Sequence, residues 1–209
     1  MKRIFTALAV VATLLSAPAS ALIIKFDDYA LAPFSKGNQG VGTGSVNVST
    51  DGSMLELTGN LWRSISVGYN VTSNTLLNFD FFSTAEGEIH GIAFENDNNV
   101  STQLTFQLLG VQSDFGIQAF DNYTVGDGWS SFSINAGSFF TGAFNKLVFV
   151  MDDDRTGFPP ANAVFRNVEI CETGSCLGFA QSSPVTVPSP ATLALLGAGL
   201  LFISLRRKI

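Results

Sequence analysis

The sequence has few of the side chains on which most catalytic sites depend. It contains one histidine and two cysteines in 209 residues, so a zinc site made of three histidines is impossible. A Ser-His-Asp triad would have to include His90, and no nucleophile-elbow motif accompanies it. If Cys171 and Cys176 pair with each other, no thiol nucleophile remains. The sequence therefore predicts a protein that is not an enzyme.

The N-terminus has the composition of a secretory signal peptide. Lys2-Arg3 is positively charged, Ile4 to Leu15 is apolar, and Ala19-Ser20-Ala21 forms an A-x-A cleavage site. These features predict export through the Sec machinery and removal of residues 1–21 by signal peptidase. The mature chain is then expected to begin at Leu22.

The C-terminus combines a proline motif, a short apolar run and a basic end. The motif is Val187-Pro188-Ser189-Pro190, the run extends from Ala191 to Leu205, and Arg206, Arg207 and Lys208 follow. As a helix at roughly 1.5 Å per residue, the run would be about 22 Å long, against a bilayer core of about 30 Å. The positive-inside rule places the basic end in the cytoplasm and the body of the chain across the membrane. Residues 187–209, with a short transmembrane helix at 191–205, are thus expected to anchor the chain transiently in the inner membrane.

This C-terminal segment resembles the PEP-CTERM sorting signal of Gram-negative bacteria. The resemblance lies in the Val-Pro-Ser-Pro motif, the continuation Thr192-Leu193-x-Leu195-Leu196-Gly197-x-Gly199 and the basic end. It implies cleavage by the membrane protease exosortase and delivery to the cell surface or the extracellular polysaccharide. Ser189 stands where Glu is usual, which puts cleavage in question. An ordinary C-terminal membrane helix is the alternative, and the resemblance implies nothing about the activity of the mature chain.

Without its two targeting segments the chain is strongly acidic. Six Lys and Arg residues remain against seventeen Asp and Glu residues, a net charge of about −11. Such a surface repels nucleic acid and anionic lipid, because it has no basic patch that releases counterions. Neutral glycans and cations are compatible partners. The predicted domain spans residues 22–172, and a flexible linker follows at 173–186.

Apolar residues in the body recur with a period of two, which is typical of strands. Leu77, Phe79 and Phe81 alternate with polar residues, and Val164, Val168 and Ile170 are expected to share one face. Roughly ten short strands separated by Gly, Asn and Asp clusters predict an all-β fold, a two-sheet antiparallel sandwich of the jelly-roll type. Residues 36–44 are expected to form a long surface loop. Further strands are predicted at Leu22–Phe26, Met54–Leu57, Leu61–Val67, Glu88–Phe94, Gln103–Leu108, Ile117–Phe120, Trp129–Ile134 and Leu147–Met151.

The two cysteines enclose four residues directly after the last predicted strand. In an exported protein Cys171 and Cys176 are expected to form a local disulfide. Because the loop is short, its stabilisation should fall near the low end of the roughly 2 to 4 kcal/mol typical of disulfides. A metal or redox pair is the alternative, but the sequence shows no partners for it.

Acidic clusters indicate cation binding as one possibility. Asp152, Asp153 and Asp154 follow a buried strand, and Asp27 and Asp28 end the first strand of the mature chain. Calcium takes six to eight oxygen ligands, and adjacent carboxylates repel one another unless a cation or a basic side chain offsets them. The sequence predicts a structural calcium site that joins the two groups, with a solvated acidic turn as the alternative.

Aromatic residues beside a glycine-rich turn suggest a glycan site. Tyr123 and Trp129 flank the turn at 125–128 and could stack on a pyranose ring, while polar side chains nearby would take its hydroxyl groups. The polar candidates are Asp121, Asn122 and Asp127. The body also resembles jelly-roll carbohydrate-binding modules in short motifs such as Phe79-Asp80-Phe81, Gly128-Trp129 and Phe165-Arg166-Asn167-Val168. This resemblance implies a glycan ligand; core packing for the aromatic residues is the alternative.

One segment invites comparison with a sandwich glucanase family that carries Glu-x-Asp-x-x-Glu on a strand. The corresponding residues here are Glu88, His90 and Ala93, so the third carboxylate is missing. Two functions remain beside this weaker hydrolase possibility. The first is a non-catalytic glycan-binding protein of the extracellular polysaccharide, and the second is a structural or adhesive matrix protein that binds no sugar.

Overall fold

The computed structural model of the chain describes residues 21–35 and 43–177. Four predicted segments lie wholly or partly outside these ranges. They are residues 1–20 of the predicted signal peptide, residues 36–42 of the predicted loop, residues 178–186 of the predicted linker and the sorting segment at 187–209. No helix in the described ranges is long and apolar enough to cross a membrane, and the helix predicted at 191–205 lies beyond them.

The described residues form an all-β domain with eleven strands and a few single turns of 3-10 helix. Alternation of apolar and polar side chains produces most of these strands, because each strand presents one face to the core. The strands are β1 (Leu22–Ile23), β2 (Ala32–Pro33), β3 (Gly44–Val48), β4 (Met54–Gly59), β5 (Leu61–Val71), β6 (Thr75–Phe82), β7 (Ile89–Glu95), β8 (Thr105–Leu109), β9 (Ser130–Asn135), β10 (Gly142–Asp152) and β11 (Asn162–Glu172).

The strands make two antiparallel sheets. The six-stranded sheet has the order β3-β4-β11-β6-β9, with β1 also paired to β11, and the five-stranded sheet has the order β2-β5-β10-β7-β8. Successive strands from β4 to β7 and from β8 to β11 alternate between the sheets, while β7 and β8 are neighbours in the five-stranded sheet. This order is that of a jelly roll. The predicted two-sheet sandwich is therefore confirmed for the domain.

Phenylalanine dominates the core between the sheets. The largest fully buried side chains there include those of Phe26, Phe79, Phe81, Phe149 and Phe165. Their rings meet at centroid distances such as 5.2 Å for Phe149 and Phe165. Edge contacts of this kind add about 0.5 to 1.5 kcal/mol per pair to the burial of apolar area.

A second, smaller core covers the outer face of the five-stranded sheet. Val148 and Val150 point away from the main core and pack with Trp62, Phe34 and Ile89. For this reason the second half of β10, from Leu147 to Asp152, is buried on both faces, and its residues from Leu147 to Met151 are all apolar rather than alternating.

The structure corrects three details of the predicted strands. Gln118–Phe120 form a 3-10 helix instead of a strand, and Ile117 makes only an isolated bridge to Phe106. Strand β3 was not predicted, because its alternating small and polar residues are mostly exposed at a sheet edge. Val164 does not share a face with Val168 and Ile170, since a bulge in β11 shifts the alternation between them.

Candidate functional site

Trp129 is an exposed aromatic residue on the outer face of the six-stranded sheet. It immediately precedes β9 and is 37 % exposed. The next residue, Ser130, pairs with Phe81 of β6, so Trp129 lies opposite Phe82. Its ring therefore lies beside that of Phe82, with centroids 5.4 Å apart. The guanidinium carbon of Arg166 lies 3.9 Å from the Trp129 ring centroid, which is a cation–π contact.

Asp80 holds this guanidinium in place. Its Oδ2 accepts hydrogen bonds from Arg166 Nε at 3.0 Å and Asn167 Nδ2 at 2.8 Å, and its Oδ1 accepts one from Ser131 Oγ at 2.6 Å. Asp80 is only 7 % exposed. Burial raises the pKa of Asp80, but the hydrogen bonds from these three side chains outweigh burial and lower it. The carboxylate therefore stays charged near neutral pH. We name Trp129, Phe82, Arg166 and Asp80 the Trp129 platform.

A bulge in β11 builds the platform. Its register against β6 shifts between Arg166 and Glu169, and Asn167 has a φ of 53°, a left-handed conformation that Asn adopts more readily than most residues. The extra residue lets Arg166 and Asn167 both reach Asp80 while Val168 returns to the core.

The platform offers both an apolar surface and hydrogen-bond donors. Of the three guanidinium nitrogens of Arg166, Nε alone has a hydrogen-bond partner among the described residues. The two terminal nitrogens can therefore donate to a ligand. The exposed part of Trp129 can pack against the apolar face of a sugar ring. Because Asp80 balances the charge of Arg166, the platform suits a neutral ligand with hydroxyl groups.

Of the predicted sugar-contacting residues, Trp129 is exposed and Tyr123 is not. The Tyr123 ring is 5 % exposed and packs edge-on against Phe81, with centroids 4.9 Å apart. Its hydroxyl accepts the Ser83 N–H at 3.1 Å and lies 3.0 Å from the Gly128 carbonyl oxygen. The predicted stacking role is therefore wrong for Tyr123, because its ring is part of the core.

The predicted polar partners do not gather around Trp129. Asp127 closes its own turn, because its Oδ2 accepts the Thr124 N–H at 3.1 Å. Asp121 and Asn122 precede Tyr123, whose N–H donates to the Leu108 carbonyl at 3.2 Å, so they lie beside β8 of the other sheet. Burial raises the pKa of Asp121. The polar groups around Trp129 come instead from β6, β9 and β11.

The acidic run after β10 has three different environments. Asp153 forms an ion pair with Arg155, with 2.7 Å between Oδ1 and Nε, and its Oδ2 accepts the Ala161 N–H at 3.2 Å. Asp154 is exposed, and its N–H donates to Glu88 Oε2 at 3.0 Å. Asp152 is buried, and burial followed by the charges of Glu88 and Asp154 raises its pKa to about 6.

The structure does not bring the two predicted calcium-binding groups together. Asp27 lies against Gly52, where an added Cβ would meet Asp27 Oδ1, at the turn that precedes β4. Asp152 lies near the opposite end of β4, because its neighbour Met151 pairs with Leu61, which comes just after β4. Six residues of strand span about 20 Å, too far for Asp27 or Asp28 to share an ion with Asp152, Asp153 or Asp154. Calcium binding stays a prediction.

His90 is buried and unsuited to proton transfer near neutral pH. Its Nε2 accepts the Gly87 N–H at 2.6 Å, so the proton of the neutral ring is on Nδ1. Burial lowers the pKa of His90 to about 3, and its ring packs against Phe81. The sole histidine of the chain is a neutral core residue.

The structure contains the predicted disulfide. Cys171 and Cys176 are bonded, and the turn between them folds back over the outer face of the six-stranded sheet. There the Leu177 N–H donates to Glu169 Oε1, a carboxylate that is almost fully buried. Residues 173–177 of the predicted linker are thus held against the domain by the disulfide and this hydrogen bond.

Comparison with known proteins identifies the C-terminal segment. A family model described as the PEP-CTERM protein-sorting motif matches residues 186–208, so the chain carries this sorting motif. The match covers about a tenth of the chain. No curated protein matches the sequence.

Solved structures with a similar fold are remote in sequence. A family 29 carbohydrate-binding module matches 73 % of this chain and 88 % of its own length, with 11 % identity and a TM-score of 0.41. A family 30 carbohydrate-binding module matches 72 % of this chain and 99 % of its own, with 14 % identity and a TM-score of 0.38. The glycoside hydrolase domain of Endo-D from Streptococcus pneumoniae R6 matches 62 % of this chain and 20 % of its own, with 13 % identity and a TM-score of 0.39. Such low TM-scores are no evidence of what this chain binds.

Proposed function

We propose that the exported domain is a non-catalytic glycan-binding module that holds a neutral sugar at the Trp129 platform. One observation carries the proposal: an exposed tryptophan is in contact with an arginine whose guanidinium is fixed by the buried carboxylate of Asp80. A sugar ring that packs on the exposed part of the indole removes apolar surface from water, which favours binding. The Asp80 network positions Arg166 before a ligand arrives, so binding loses little side-chain entropy.

The charge of the mature chain favours a neutral ligand. With a net charge of about −11, the domain repels polyanions at low salt. The side chains on the outer face of the six-stranded sheet near Trp129 include those of Ser131, Ser133 and Asn167. These short polar groups can exchange hydrogen bonds with sugar hydroxyls.

The sorting motif defines the route of this module. A PEP-CTERM motif implies export and processing by exosortase at the membrane. We propose that the Sec machinery and signal peptidase act first, that the tail then anchors the precursor transiently in the inner membrane, and that the processed domain reaches the cell surface or the extracellular polysaccharide. There it would bind a glycan of that matrix.

A glycan array tests this function. The full chain, purified in detergent, is applied beside a Trp129→Ala variant and an Ile23→Ala control, which removes an exposed apolar side chain elsewhere on the domain. We expect binding to a set of neutral glycans that is lost in Trp129→Ala and kept in Ile23→Ala. Absence of binding to every sugar would contradict the proposal and favour the structural or adhesive alternative.

A further inference from the structure

The Trp129 platform lies at one end of a row of side chains that crosses the six-stranded sheet. Trp129 lies opposite Phe82, and the two rings are in contact. Phe82 pairs with Val164 of β11, which in turn pairs with Glu56 of β4. Paired residues on neighbouring antiparallel strands place their side chains next to each other on one face of the sheet. We name these four residues the Glu56 row.

The Glu56 row is longer than one sugar ring. Trp129 precedes β9, and β11 and β6 lie between β4 and β9 in the sheet. Neighbouring strands are about 4.8 Å apart, so the three spacings from Trp129 to Glu56 amount to about 14 Å. A single ring that packs on Trp129 therefore does not reach Glu56, whereas a chain of several rings does.

The row is apolar along most of its length and has polar borders. Trp129 is exposed, Phe82 is half-buried and Val164 is buried. Residues two positions away along the same strands share this face of the sheet. They place polar side chains on both sides of the row, namely Arg166, Asp80 and Ser131 on one side and Asn162 and Thr58 on the other. A sugar ring has an apolar face and hydroxyl groups at its edge, so this surface matches a chain of such rings.

Glu56 ends the row with an oxygen that a ligand can use. Its Oε1 accepts a hydrogen bond from Asn162 Nδ2 at 3.3 Å, and Asn162 Oδ1 accepts the Thr84 N–H at 2.8 Å. Within the part of the chain that the structure describes, Oε2 of Glu56 has no hydrogen-bond partner. Hydrogen bonds from hydroxyl groups to a carboxylate are stronger than those between neutral groups, so Glu56 is suited to a sugar hydroxyl.

We infer that the ligand of the Trp129 platform is a linear, neutral oligosaccharide that lies across the strands along the Glu56 row, and that Glu56 binds its far end. This inference rests on the proposed glycan-binding function and adds the length and direction of the ligand. One sugar ring packs on Trp129 beside Arg166, and a ring further along the oligosaccharide donates a hydroxyl hydrogen to Glu56. The Glu56 carboxylate repels an acidic sugar at this position.

Oligosaccharides of increasing length test the inference. The probes are linear, neutral oligomers of glucose, mannose, galactose, xylose and N-acetylglucosamine, each from the monosaccharide to the hexasaccharide. The full chain in detergent is titrated with each series by calorimetry. For the series that binds, we expect the affinity to rise at least about tenfold from the monosaccharide to the hexasaccharide, because only the longer oligomers reach Glu56.

The Glu56→Gln variant tests the far end of the row. Glutamine keeps an oxygen for Asn162 but lacks the charge, so the fold should be retained. We expect the variant to bind the hexasaccharide about tenfold more weakly than the wild type and the monosaccharide equally well. Asp114→Asn, which removes an exposed carboxylate in the loop between β8 and β9, is the matched control and should change neither affinity.

The same titrations distinguish failure of the inference from failure of the proposed function. Equal affinity for all lengths, or an unchanged affinity of Glu56→Gln for the hexasaccharide, would overturn the Glu56 row. If Trp129→Ala still loses binding in that case, the proposed function stands and the ligand is confined to the Trp129 platform. Absence of binding to every probe would contradict the proposed function itself, and the inference with it.

Discussion

At the scale of single residues, buried polar side chains determine what each part of the domain can do. Asp80 lies under Arg166 and keeps a charged carboxylate because Ser131, Asn167 and Arg166 all donate to it. His90 accepts one backbone N–H, and burial outweighs the charge of Asp153, so the ring stays neutral. The first residue positions a surface group, and the second only fills the core.

Protonation of His90 should destabilise the fold in acid. Burial lowers its pKa in the folded state to about 3, against an ordinary value of 6.5. The folded state therefore binds fewer protons than the unfolded state below pH 6.5, and stability falls as the pH drops through the window from 6.5 to 3. Between pH 6.5 and 4 the loss should be about 3 kcal/mol. Urea unfolding of the wild type and of His90→Gln measures it.

The comparison with His90→Gln isolates the imidazole. Glutamine can accept the Gly87 N–H through its side-chain oxygen and does not titrate. We expect a shallower loss of stability in acid for the variant, whatever its stability at neutral pH. Parallel pH profiles for the two proteins would show that His90 does not titrate in this way.

Asp152 should have the opposite effect on the pH profile. Burial and the charges of Glu88 and Asp154 raise its pKa in the folded state to about 6, so its contribution to stability is present below its ordinary value of 3.8 and is lost as the pH rises through 6. Asp152→Asn removes the charge and keeps an oxygen near Trp62. We expect the variant to be more stable than the wild type by about 1 to 2 kcal/mol at pH 8, with little difference at pH 4.

Thermal melts at the two pH values check the Asp152 prediction. Asp154→Asn, at an exposed position in the same run, is the matched control and should change the melting temperature less. A lower melting temperature for Asp152→Asn at pH 8 would mean that the charged form is favoured in the fold.

At the scale of elements, the bulge in β11 and the turn after it shape the outer face of the six-stranded sheet. The bulge directs Arg166 and Asn167 to Asp80. The disulfide then reverses the chain, so that Leu177 covers Glu169. The bulge lies within β11 and the turn follows its end. They occupy different parts of the outer face of the six-stranded sheet.

Loss of the disulfide should be a small perturbation. Its loop is short, because the two cysteines are five positions apart, and chain-entropy reasoning gives a stabilisation of about 2 kcal/mol. The double variant Cys171→Ser with Cys176→Ser should lose about this much stability in urea unfolding, with an unchanged denaturant slope. Glycan binding at the Trp129 platform should persist. A loss well above 4 kcal/mol would mean that the turn holds the fold as a whole.

The alternation of apolar and polar residues made a strand predictable where only one of its two faces is buried. Phe79 and Phe81 alternate with polar residues on β6, and the structure places them in the core as expected. Ile117 and Phe120 looked equally strand-like but belong to a loop that carries a 3-10 helix. The bulge at Asn167 was not visible, because a single residue in a left-handed conformation leaves no mark on the alternation.

The candidate site was only partly predictable for a related reason. Trp129 was identified because it is an aromatic residue beside a glycine-rich turn. Asp80 and Arg166 were not, since their pairing depends on β6 and β11 being neighbours in the sheet although they are 86 positions apart in the chain. The available signal was the alternation on β6: since Phe79 and Phe81 face the core, Asp80 lies on the outer face of the sheet. Tyr123 could not be distinguished from Trp129 without its contacts to Ser83 and Phe81.

At the scale of the whole molecule, the targeting segments and the domain have opposite charge. The basic residues at the C-terminal end belong to the sorting motif, those at the N-terminal end belong to the predicted signal peptide, and the remaining chain is acidic. Two of the acidic side chains, Asp80 and Asp153, form ion pairs with arginines. The Asp80 pair makes the Trp129 platform electrically balanced.

The most direct test of the account is the affinity of the Trp129 platform. The neutral glycan that binds best on the array is titrated by calorimetry into the wild type, Trp129→Ala and Ile23→Ala. Because Trp129 supplies the exposed apolar surface of the platform, we expect Trp129→Ala to bind at least about tenfold more weakly and Ile23→Ala to match the wild type. Equal affinity for all three proteins would contradict the proposal that Trp129 holds the glycan.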